Sequence, residues 1–136
     1  MSRRYFALLV IALTTLLFGC SKDAEVTAFA TELDTTSAEI VKKVEGGKDP
    51  SAGVDDAQKY LDGKKADLKS KYKELENVRG FQVKEETMKK LTDAVTNSIM
   101  KVSGLQIKYM EKTMSDKAFK AKLEKLVKDY ESILTE

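Results

Sequence analysis

Few side chains in this chain are suited to chemistry, and their spacing narrows the choice further. There is no histidine among the 136 residues, and the only cysteine is Cys20. Without histidine there is no histidine-ligated haem, no Glu-x-x-His di-iron site and no Ser-His-Asp relay. One thiol makes neither an internal disulfide nor a thiolate zinc cluster. Adjacent carboxylates occur at Asp55-Asp56 and at Glu85-Glu86. On a helix of ~3.6 residues per turn, neighbouring side chains point about 100° apart, so neither pair converges. Acids near a helix start complement the positive end of the macrodipole, which explains both pairs more simply. Gly46-Gly47 lacks the preceding strand and the Lys-Ser/Thr of a phosphate-binding loop. The sequence therefore assigns no catalytic, cofactor-binding or metal-ligating residues, and the expectation is that the chain is not an enzyme.

Two softer sets remain. Met88, Met100, Met110 and Met114 are the candidates for a soft metal or a haem, and Met110 and Met114 are four apart. Methionine also fills irregular gaps in a core, and core packing is the expectation for all four. Tyr60, Tyr72, Tyr109 and Tyr130 fit half-buried edges with their hydroxyls reaching water. Lys64 and Lys65 interrupt an apolar face beside Gly63. Lysine stems can lie along apolar surface with the charge in water, and a cleft at this point is the alternative.

The lone thiol has a better explanation in what precedes it. Arg3 and Arg4 are followed by a nearly unbroken apolar run, Tyr5 to Phe18, and then by Gly19 and Cys20. The run has 14 residues, whereas a helix crossing a bilayer needs ~20. It fits the hydrophobic region of a signal peptide. Leu17-Phe18-Gly19-Cys20 resembles the lipobox of bacterial lipoproteins, with Leu17 three positions before the cysteine and Gly19 directly before it. The resemblance covers residues 1–20 only. It implies diacylglyceryl transfer to the Cys20 thiol, cleavage before Cys20, and acylation of the new amino group. Residues 1–19 are then a signal peptide, 20–23 a lipidated tether and 24–136 the folded domain. Ser21 follows the cysteine. In the Gram-negative sorting pattern an aspartate there retains a lipoprotein in the inner membrane, so serine implies the outer membrane, facing the periplasm. Several acyl chains give a stable anchor, at ~0.8 kcal/mol per buried CH₂.

The elements that carry this domain read as all-α. From Cys20 onward the chain is long enough for one core and too short for two ordinary domains. Loss of Arg3 and Arg4 leaves 22 basic against 22 acidic side chains, which argues against nucleic acid as a partner. Val26, Ala30, Leu33, Ser37, Ile40 and Val44 step by four and three, giving a first helix over about 24–45 capped by Asp23. Gly46-Gly47 ends it, with a left-handed cap as the expected geometry. Asp49 and Pro50 start a second helix running to about Val78, since the first helical position needs no amide donor. Phe81 and Val83 are expected to plug one end of the core. A third helix follows over about 84–113, with Gly104 inside it attributed to close approach of a neighbour. A fourth spans about 116–134, capped by Ser115 or Asp116. Short links favour antiparallel neighbours, hence an up-down-up-down four-helix bundle. An acidic first helix would then lie beside basic second and fourth helices.

Two functions fit this reading. The first is a membrane-anchored envelope lipoprotein that acts as a non-catalytic protein-interaction or structural module, with an envelope protein as its partner. The alternative is a small-ligand carrier with a pocket inside the bundle, near Lys64, Gly104 and the methionines.

Overall fold

Asp49 and Pro50 set the register of the structure. In the computed structural model, which describes residues 21–78 and 80–135, the Asp49 carboxylate accepts from the amides of Ser51 (3.0 Å) and Ala52 (3.2 Å). Those bonds satisfy two orphan donors of the first turn, and they hold the carboxyl below its usual range. The expected signal peptide, with Leu17, Gly19 and Cys20, lies outside the described residues. Within them the chain is helical: α1 (Asp23–Gly46), α2 (Pro50–Glu76), α3 (Glu85–Lys108), a single turn and a half α4 (Met110–Ser115), and α5 (Lys117–Leu134). Asp116 caps α5 by accepting from the Phe119 amide at 2.9 Å.

The four long helices enclose one core. Val26, Leu33, Ile40 and Val44 from α1 meet Val54, Ala57, Leu61 and Leu68 from α2, Leu91, Val102 and Leu105 from α3, and Phe119, Leu123, Leu126 and Ile133 from α5. The three-and-four periodicity thus marks real buried faces. On α3 it slips by one position: Ala94 is buried and Val95 only half-buried.

The arrangement of the helices differs from a bundle with antiparallel neighbours throughout. α1 packs on α2 and α3, and α5 packs on the same two helices, so α1 faces α5 and α2 faces α3 across diagonals. Ion pairs give the directions. Asp34–Lys101 (3.0 Å) and Glu45–Lys108 link α1 to α3 in increasing order along both, so these neighbours run parallel. Asp55–Lys122 (2.7 Å) and Lys65–Asp129 (2.9 Å) show the same for α2 and α5. The acids of α1 therefore meet lysines of α2 and α3, not of the last helix. The 77–84 loop crosses the pole where α1 begins, and its Gln82 carbonyl accepts from the Lys22 amide at 2.8 Å.

Several local expectations are corrected. Asp23 is the first residue of α1 rather than its cap, and its carboxylate accepts from the Lys84 amide at 2.9 Å, at the start of α3. The Thr87 hydroxyl, the Lys84 amide and the Ser21 hydroxyl hold this carboxyl down at about 2. Gly47 has φ −67° and ψ 150°, an extended exit with no left-handed residue. Its role is space: an added Cβ would lie 2.9 Å from Gly53 Cα. Gly53 in turn would press a Cβ to 2.6 Å from the Val44 carbonyl oxygen. The close approach assigned to Gly104 is found at Gly53 instead, because a Cβ on Gly104 meets nothing within 4 Å. The third predicted helix breaks at Tyr109, where its ring packs edge-on against Phe119 at 5.7 Å. Val83 does plug the core end, but Phe81 does not and stands 88% exposed.

Candidate functional site

The methionines are the residues whose placement departs furthest from the sequence expectation. Met88, Met100, Met110 and Met114 are all exposed, as is Ile107. On α3, at about 100° per residue, Met100 and Ile107 fall within ~20° of each other, and Met110 and Met114 follow on α4 beyond the break at Tyr109. The buried residues Ser98, Val102 and Leu105 occupy the opposite side of α3. The exposed side of α3–α4 therefore carries a stripe of large apolar side chains, Met100, Ile107, Met110 and Met114, with the exposed Glu111 among them. Exposures of 79% at Ile107 and 81% at Met114 rule out a packing role for these side chains. Gly104 lies near the middle of the stripe and leaves it without a projecting group. A group of exposed large apolar side chains on one side of a helix pair is a candidate contact surface. The signal was present in the sequence as the seven-residue spacing of 100 and 107, half a turn out of phase with the core seam of α3.

Cations border the stripe and are tied inward. Lys101, Lys108 and Lys112 pair with Asp34, Glu45 and Asp49 on the far side of α3–α4. Glu45 keeps the Lys108 ammonium above its usual range. Lys112 also sits 5.1 Å from the centroid of the Phe119 ring. These contacts brace the stripe from behind and fix it at the pole away from the start of α1.

Among the described residues, Lys64, Gly104 and the methionines are not brought together around one pocket. Lys64 lies on α2 and pairs with Glu32 of α1 at 3.6 Å. Gly104 lies on α3, which α2 does not contact. The concavity that does exist near Lys64 is an open groove of about 300 Å³ between α1 and α2. Its floor is Ala28, Phe29 and Leu75, and Glu25, Lys71 and Glu74 stand around it. Asp67 and Glu32 together raise the Lys71 ammonium to about 12, so that charge is fixed at neutral pH.

Two polar groups sit inside the helix layers. Lys65, Lys125 and Gln58 all bond the Asp129 carboxylate, at 2.9, 2.6 and 3.0 Å. The Lys125 bond, then the Lys65 bond, holds this carboxyl at about 2. The interruption at Lys64-Lys65 is thus two ion pairs joining α2 to its neighbours on either side. Tyr130 corrects the expectation of a seam-edge tyrosine. It is fully buried, and its hydroxyl has no hydrogen-bond partner among the described residues. Ser37 and Ser98, also fully buried, donate to the carbonyls of Asp34 (3.0 Å) and Val95 (2.9 Å). Burial pushes the Tyr130 phenol up, and the nearby Ser98 and Ser37 hydroxyls only moderate the rise.

The carboxylate pairs do not converge. Asp55 goes to Lys122, and Glu86 goes to Lys90 at 3.0 Å. Among the described residues no three acidic, cysteine or histidine side chains are grouped so as to hold a metal ion. No helix among them is long and apolar enough to cross a membrane. No protein family, characterised protein or solved structure shows significant similarity to this chain.

Proposed function

We propose that this chain is a bacterial envelope lipoprotein, anchored by acyl groups on Cys20, whose four-helix bundle acts as a non-catalytic docking module for another envelope protein. The observation that carries this reading is the exposed stripe of Met100, Ile107, Met110 and Met114 on α3–α4. Methionine is flexible and polarisable, and suits a surface that must adapt to a partner. The anchor and the stripe are at opposite poles. α1 rises ~36 Å over its length at 1.5 Å per residue, so the stripe would be presented away from the lipid surface. Tethering to a membrane raises the local concentration of partners on that membrane. The lipobox-like run and Ser21 support the periplasmic face of the outer membrane as its site, if the source is Gram-negative.

The test is photocrosslinking in cells from positions 100, 107 and 114, with position 56 on the opposite side as control. The expected result is one protein adduct from the stripe positions, absent from position 56. Ile107→Asp should abolish that adduct and leave the circular dichroism unchanged, because the side chain is exposed. Crosslinks spread equally over all positions would overturn the stripe as the contact surface. A stoichiometric small molecule retained by the purified chain, with no protein adduct, would favour the carrier.

A further inference from the structure

Phe81 is an apolar ring with no packing role. It stands 88% exposed, whereas Val83, two residues on, is 6% exposed and closes the core end. The loop that carries it is held firmly. The Lys22 amide donates to the Gln82 carbonyl at 2.8 Å, and Asp23 accepts from the Lys84 amide at 2.9 Å. Phe81 is therefore next in sequence to a residue bonded to Lys22. Only two peptide links, a reach of at most ~8 Å, separate Lys22 from residue 20. The pole of the bundle that displays Phe81 is the pole from which the N-terminal segment leaves.

We propose that Phe81 is a second membrane contact, inserting its ring into the lipid bilayer interface beside the acyl chains of Cys20. The inference rests on the lipid-anchor reading and adds an orientation to it. An acyl anchor alone leaves the domain free to tumble about its tether. A ring on a fixed loop at the same pole gives a second point of attachment and stands the helices along the membrane normal. Interfacial binding of this kind draws on buried apolar area. The charges at this pole do not supply the attraction. Lys22 and Lys84 are there, but so are Asp23, Glu25, Glu85 and Glu86, and Lys22 is paired with Glu25 at 2.7 Å. The bilayer chemistry required is apolar, and the excess of acid at this pole gives anionic headgroups no added attraction.

The chain contains no tryptophan, so Phe81→Trp and, separately, Met114→Trp each introduce a single fluorophore. Both replace exposed side chains at opposite poles. The full chain, purified from membranes, is placed in phosphatidylcholine vesicles with brominated acyl tails. The Phe81→Trp protein should lose most of its emission relative to unbrominated vesicles, and the Met114→Trp protein should lose little. Adding anionic lipid should leave the difference unchanged. Mass spectrometry of the same samples reports the state of Cys20. Acylated protein that floats with the vesicles but shows equal quenching at both positions, or none at position 81, overturns the second contact and leaves the anchor standing. An unmodified Cys20 overturns the anchor and this inference with it.

Discussion

Removing the Tyr130 hydroxyl should not harm this protein, although Tyr130 is the largest fully buried side chain in its core. A buried hydroxyl with a partner contributes roughly 0.5–1.5 kcal/mol, and one without a partner costs about 1–3 kcal/mol in lost hydration. The Tyr130 hydroxyl has no partner among the described residues. The nearby Ser37 and Ser98 hydroxyls donate to the carbonyls of Asp34 and Val95, and neither oxygen is within hydrogen-bonding geometry to accept from the phenol. Tyr130→Phe therefore strands no donor or acceptor, and the ring keeps its contacts. Against this stands the small packing loss of one oxygen, worth a few tenths of a kcal/mol at ~0.1–0.2 per atom contact. The expected change is from neutral to about 2 kcal/mol more stable. At about 4 °C per kcal/mol for a domain of this size, Tm should stay the same or rise by several degrees. The assay is urea unfolding of residues 21–136 followed by far-ultraviolet circular dichroism, with m held common to both proteins. A loss of 1 kcal/mol or more in Tyr130→Phe would show that the hydroxyl is satisfied in solution, and the reasoning would fail.

Two further perturbations separate other parts of the account. Gly53→Ala should destabilise by about 1–3 kcal/mol, because its Cβ meets Val44 and Lys43 backbone at under 3 Å and α1 and α2 must part. Gly104→Ala should instead stabilise by ~0.5–1 kcal/mol through helix propensity alone, and equal signs in parallel thermal melts would refute the assignment of the close approach. Asp129→Asn should lower stability at neutral pH by about 1 kcal/mol after allowance for solvent screening. The carboxyl is held at about 2 in the folded protein, against ~3.9 when unfolded. Its contribution is complete above pH ~4 and disappears as pH falls toward 2, so the variant should show a shallower loss of stability across that window.

Helix existence was legible because it depends on local chemistry. Asp49-Pro50 and Asp116 start helices through their own side chains, and the seams of Val26 to Val44 and Phe119 to Ile133 bury as their spacing requires. Neighbour choice was not legible, because the lysines of α2, α3 and α5 look alike in sequence. Only packing shows that Lys101 and Lys108 face Asp34 and Glu45. Gly53 and Gly104 likewise differ only in what lies opposite them. The methionine stripe was misplaced for another reason. Residue type alone suggested burial, while the helical phase of 100 and 107 relative to Val102 pointed outward.

The order of helices around the core has a consequence for how the chain must fold. α2 and α3 are consecutive in sequence but diagonal in space, while α1 lies against α3 along parallel axes. Successive helices cannot simply zip onto one another from one end to the other. The α1–α2 hairpin can form locally through the tight 47–49 turn, and α3 and α5 can pair through α4. Each hairpin then holds only half of the core and leaves an apolar side bare. Closing the α1–α3 seam means bringing together segments separated by the whole of α2 and its loop. That loop-closure entropy must be met before Leu33 and Val102 gain from burial. The longer closure is expected to slow folding relative to a bundle whose sequence neighbours are all packed together.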